Sequence, residues 1–194
     1  MFLETQLRPG GCVLAAPEAY VTLVRVHRLL SSVRVLALSD LGILTVDRER
    51  LNIKKGDEVS LPLWLALELS SRGYVEIRDA TVRDIDLFKY YHMERSTRGN
   101  RLADVREDVY FSAGLALARL DREKGVSELA KVERLKGTLV NLLDLRTIKV
   151  VNAALNLDVR QPSDVSKVLE EMVLYKSLKE VLESWKNSVL KYVE

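Results

Sequence analysis

No proline stands between Pro62 and Pro162. Across most of that stretch, apolar residues recur at the 3.6-residue period of a helix. Before it they alternate, broken by glycine turns. The change of period falls near residue 80 and predicts an α+β chain. A small N-terminal β-rich domain with one short helix is expected over residues 18–80. A larger C-terminal helical bundle domain is expected over residues 81–194. No Gly/Ser linker separates the halves, so they are expected to be docked or tightly joined. Residues 1–17, with Arg8-Pro9-Gly10-Gly11, read as a flexible lead-in.

Within the first half, Tyr20–Leu30 alternates as a strand does, with Val21 and Leu23 on one side and Thr22, Val24 and Val26 on the other. Val33–Asp40 is a second alternating run. Asp40-Leu41-Gly42 is a turn, Ile43–Val46 a short strand, Lys55-Gly56-Asp57 a turn, and Glu58–Leu61 a strand. Pro62 suits a first helical turn, where its missing N–H would have no partner. Leu63, Ala66 and Leu67 repeat at helical spacing, and Gly73 can end that helix. Tyr74–Ile77 closes the domain, with Trp64 expected as its core anchor.

In the second half, Thr81 with Asp84 suggests a helix start, and Val82, Ile85 and Phe88 continue down one face. Ser96–Asn100 breaks that helix. Asn100 is placed as the cap of the next, whose stripe is Val105, Val109, Ala113, Ala116 and Leu120. After a break at Asp121–Gly125, Ser127 is placed as the cap of a long helix. Its apolar positions run from Leu129 to Leu155, about 45 Å of helix. A connector, Asn156–Pro162, leads to a last helix carrying Val165, Leu169, Met172, Leu178, Leu182, Trp185, Val189 and Tyr192.

The chemistry that can be excluded narrows the function. The two histidines, His27 and His92, lack metal-ligand spacing, and the single cysteine, Cys12, rules out an internal disulfide. The lone cysteine suggests a reducing, cytoplasmic setting. No phosphate-binding glycine motif is present, and no cofactor or metal is expected. The paired acids Glu170-Glu171 and Asp84/Asp86 fall where helices carry solvated charge. Thirty basic residues oppose twenty-eight acidic ones, for a net charge of +2, which does not describe a strong global nucleic-acid binder. No window is apolar enough to span a membrane. Local basic clusters occur at Arg95, Arg98 and Arg101, at Arg48, Arg50, Lys54 and Lys55, and at Lys131, Arg134 and Lys136. Each reads either as a phosphate contact or as a solvated face. The long helical stripes are candidates for a subunit interface through Leu135, Leu139, Leu142, Ile148, Leu178, Leu182 and Trp185. Ordinary packing within the chain explains them equally well.

Asp40-Leu41-Gly42, a turn-rich gap, and then Val59, Leu61, Pro62, Leu63, Trp64, Leu65 and Ala66 resemble the β-domain of archaeal GINS subunits, in the branch with that domain first and the helical domain second. Tyr20–Val26 fits the strand that opens this domain, and the Leu145-Arg146 step resembles the family's helical part. The resemblance implies a non-catalytic scaffold subunit at the replication fork. It would assemble with a sister GINS subunit, two copies of each, through the helical domains. It would bind and stimulate the MCM replicative helicase and link it to a RecJ- or Cdc-type partner. The motif residues are then structural. The competing expectation is a nucleic-acid-binding regulator that dimerises through its helical domain and touches DNA with Arg95, Arg98 and Arg101. No residue cluster motivates an enzyme.

Overall fold

A computed structural model describes residues 17–46, 48–79, 85–122, 126–156 and 161–192. The lead-in at 1–16 and the proposed Thr81–Asp84 helix start, with Val82, lie outside them. The architecture is α+β, with small antiparallel sheets followed by a larger helical region.

The first element corrects the sequence reading. Pro17–Leu30 is a helix, α1, not a strand. Alternation over Val21–Val26 is too short to separate period 2 from period 3.6. The helical signals lie at the ends: Glu18 in the first turn, His27 and Arg28 in the last, each matched to the helix dipole. Ser31 closes the helix through its N–H and its hydroxyl, both donating to the Arg28 carbonyl. The β-rich region thus carries two helices, and α1 packs against the last helix of the chain as well as against its neighbour α2.

Strands β1 (Ser32–Ala37), β4 (Glu58–Pro62) and β5 (Val75–Ile77) form an antiparallel sheet with β1 in the middle. β2 (Gly42–Val46) and β3 (Glu49–Ile53) form a hairpin. Val33, Val35 and Ala37 all point inward, as alternation requires, and Val35 faces Val59 on one side and Ile77 on the other. The Asp40–Gly42 turn is held chemically. Asp40 Oδ1 accepts from the Lys55 N–H (2.8 Å), the Leu41 N–H donates to the Ile53 carbonyl (3.0 Å), and Gly42 takes φ +69°.

Pro62 ends β4 and directly precedes α2 (Leu63–Ser71), so it stands one residue before the helix rather than in its first turn. Leu61, Leu63 and Ala66 join Val35, Ile53 and Val75 in the core of the sheet. Trp64 does not: it is 50% exposed. The helical angle explains this. Trp64 lies 100° around from Leu63, on the side that carries Glu68, while Leu63, Ala66 and Leu67 share the inner face. Gly73, at φ +77°, follows α2, and the Tyr74 N–H returns to the Leu69 carbonyl.

Four longer elements build the helical region: α3 (Leu87–Ser96), α4 (Val109–Arg122), α5 (Val126–Leu155) and α7 (Leu169–Leu190). A single turn, α6 (Pro162–Val165), lies in the connector. Asp86 caps α3, its Oδ1 accepting from the Lys89 N–H at 3.0 Å. Asn100 caps nothing: residues 101–106 are irregular and α4 begins at Val109. Asp108 stands before it and accepts from the Ser112 hydroxyl and the Arg106 guanidinium. Ser127 lies inside the first turn of α5, not ahead of it, and Pro162 opens α6 rather than the last helix. Leu87, Val105, Val109, Ala113, Leu142 and Val168 form one core, and Val150, Ala153, Ala154 and Tyr175 a second.

Candidate functional site

Between the two helical cores lies a buried ion cluster centred on Arg146, whose side chain is 1% exposed. Its Nε and Nη2 make a bidentate pair with Glu171, at 2.6 and 2.8 Å. Its Nη1 donates to Glu94 Oε2 at 2.6 Å and to the Ala103 carbonyl at 3.0 Å. Lys149 pairs with the other oxygen of Glu94, and the Tyr110 hydroxyl donates to Glu171. Ser166 Oγ donates to Glu171 Oε2 at 2.6 Å and accepts from the Val168 N–H at 3.0 Å. Two cations thus face two carboxylates, and the guanidinium is held on both edges.

This arrangement locks elements together; it does not present a reacting group. Glu94 comes from α3, Tyr110 from α4, Arg146 and Lys149 from α5, and Glu171 from α7. Burial disfavours the Arg146 cation, but the Glu171 carboxylate outweighs it and holds the guanidinium charged. Burial and the adjacent Glu171 charge push the Tyr110 hydroxyl far above its ordinary range, so it stays a donor. Sequence reasoning placed Glu171 on a solvated face and read Arg146 only as part of a motif. The available signal was a glutamate and an arginine interrupting apolar stripes at core positions.

Glu170 behaves differently from its neighbour. Its Oε2 is buried with no hydrogen-bond partner. Burial pushes its carboxyl above the usual carboxylate range. It lies at an apolar groove of about 620 Å³ between α1, α4, α5 and α7. Val21, Leu29, Leu115, Leu143 and Leu174 contribute to the walls. A Cβ built on Gly114, which also lines the groove, would meet nothing within 4 Å.

The candidate interface residues divide. Leu142 is fully buried in the first helical core and belongs to the chain's own packing. Leu135 and Leu139 pack partly against that core, and Leu178 and Leu182 against the second. Ile148 and Trp185 stand out, 59% and 61% exposed. Ile148 lies on the face of α5 turned away from Arg146 and Val150, whereas for Trp185 the reason is a difference in reach. Arg146 faces Glu171, and Val150, Ala153 and Ala154 pack with Tyr175, so α5 and α7 run in the same direction. Helix α5 stops at Leu155, and α7 continues past its end. From Glu183 onward every described residue is exposed, a projection of about 12 Å to Leu190. Of its exposed apolar residues, Trp185 and Val189 continue at helical spacing the stripe of Tyr175, Leu178 and Leu182 that packs inward lower down.

Arg95, Arg98 and Arg101 are exposed at and after the end of α3. Arg134 stacks over the Phe88 ring at 4.5 Å, and Lys136 pairs with Glu133, so part of the third basic cluster is engaged within the chain. Among the described residues no group of His, Cys, Asp and Glu could hold a metal ion, and no helix is long and apolar enough to cross a membrane. No protein-family model matches the chain, and no curated protein matches it.

Proposed function

We propose that this chain is a non-catalytic scaffold subunit of the GINS type. It joins a sister GINS subunit in a tetramer, binds and stimulates the MCM helicase, and links it to a RecJ- or Cdc-type partner at the replication fork. The observation that carries the scaffold reading is the uncovered end of α7. A short, unsupported helical projection bearing an exposed tryptophan has little reason to persist in water unless another chain covers it. The residues of the Asp40–Gly42 turn and the Pro62–Ala66 corner supply the GINS assignment. Their roles are structural: Asp40 ties two turns, and Leu63 and Ala66 fill the sheet core. The polar cluster most deeply buried, around Arg146, is saturated with internal partners, in keeping with a protein that acts by contact.

The test is the native mass of this chain co-expressed with a sister-type GINS chain, by light scattering after size exclusion. A complex near four subunits that contains both chains is expected. A chain that ignores its sister in co-expression overturns the GINS assignment.

DNA contact through Arg95, Arg98 and Arg101 is a second, separable proposal, favoured by their shared exposure beside one helix end. Duplex binding should then weaken steeply with salt and be lost on reversing the three charges. Binding indifferent to that reversal rejects this surface.

A further inference from the structure

We propose that α1 is a strap with two seatings, closed against the helical region when Glu170 is protonated and released when Glu170 ionises. The proposal does not depend on what the chain assembles with.

The place of Glu170 is the first ground for it. Helix α1 packs against α7, and Glu170, in the first turn of α7, lies at the groove that α1 borders with Val21, Arg25 and Leu29. Its Oε2 is buried without a hydrogen-bond partner. A carboxylate held in that way costs far more than a neutral carboxyl.

The second ground is how lightly α1 is held. Every described side chain of α1 is at least partly exposed, and Leu23 is 64% exposed. At its end the Arg28 guanidinium donates to the Glu107 carbonyl at 3.1 Å. Beside that bond the seam is open. A cavity of about 350 Å³ reaches from Ser32 and Leu63 across to Phe111 and Ser112. Lifting such a helix breaks few contacts, and it gives Glu170 to water.

The charges around Glu170 set the direction. Arg28 on α1 and the backbone N–H of Glu170 itself favour the carboxylate, while Glu171 on α7 and Asp108 ahead of α4 oppose it. Arg25 of α1 and Tyr110 of α4 also line the groove, and the α5 residues that line it are uncharged. Burial outweighs the favourable contacts and pushes the carboxyl above its usual range. The closed seating therefore binds the proton more tightly than the released one. It is favoured at low pH and lost as pH rises through the closed-state value.

The experiment is a distance measurement by pulsed electron resonance on the full chain, from acid to mildly alkaline pH. Nitroxides go on Leu23→Cys in α1 and Val140→Cys in α5, both exposed positions, with Cys12→Ser to remove the native thiol. One distance is expected in acid. A second, longer one should grow in as pH rises, its ratio to the first changing by up to about tenfold per pH unit, the limit for one proton. Glu170→Gln keeps the shape but cannot ionise, so it should hold the single short distance throughout. His27→Gln, on α1 itself, should leave the response intact. Arg28→Met removes the latch and should raise the released fraction several-fold at every pH. A distance that does not change with pH overturns the proposal. So does a pH response that survives Glu170→Gln or disappears in His27→Gln.

Discussion

Arg146 is the residue on which the helical region turns. Replacing it with methionine roughly keeps the volume but takes the guanidinium from two interior carboxylates, leaving Glu171 with no cation and Glu94 with Lys149 alone. Breaking a buried pair in this way costs about 3–5 kcal/mol. Urea unfolding at neutral pH should show a loss of that size for Arg146→Met, and less in acid, where the stranded carboxylates take up protons. Arg146→Lys should recover little, because an ammonium cannot hold Glu171 by two parallel bonds. Glu170 predicts the opposite sign. Its folded carboxyl titrates above its unfolded value, so the folded chain binds that proton more tightly. The group therefore favours folding at low pH, and the benefit is lost as pH rises through the folded value. Glu170→Gln should raise the thermal midpoint of the monomeric chain at neutral pH. The gain should fade below the ordinary carboxylate range, as followed by circular dichroism at the two pH values.

At the scale of elements, α3 and α1 show what the sequence made legible and what it hid. The β1 alternation, the two glycine turns, the Pro62 corner and the long α5 stripe could be read directly, because each is set by local geometry. Helix α1 could not, since valine and threonine at alternate positions satisfy a strand as well as a helix, and its contacts with α2 and α7 come from distant sequence. Asn100 was a credible cap by residue type, yet the chain stays irregular to Arg106, where the Ala103 N–H is taken by Glu94. The cap of α3 is Asp86, and Asp86→Ala should lower stability by about 1 kcal/mol. Denaturant unfolding of that variant checks it, and an unchanged midpoint would mean that the helix start is held by packing alone.

At the scale of the whole molecule, the site was legible in kind but not in place. The apolar stripes announced a surplus of helix surface. Which residues were surplus depended on where α5 ends relative to α7, and no local pattern carries that. Leu142 and Trp185 look alike in sequence; one is interior and the other faces water, because Leu155 is the last residue of α5. The same offset predicts a gradient of stability along α7. Glu171 and Tyr175 are anchored by the ion cluster and the second core, so their amides should open only with global unfolding. From Glu183 to Leu190 the helix has only its own hydrogen bonds, which a segment of that length barely sustains in water. Hydrogen exchange on the dilute chain should therefore be slow through Tyr175 and fast beyond Leu182. Assembly should slow exchange of the last turns selectively, while leaving the exposed Arg95–Arg101 segment unchanged. Fast exchange of α7 along its whole length would deny the anchoring role given to Arg146. Protection of the projection already present at dilution would deny that it needs a second chain.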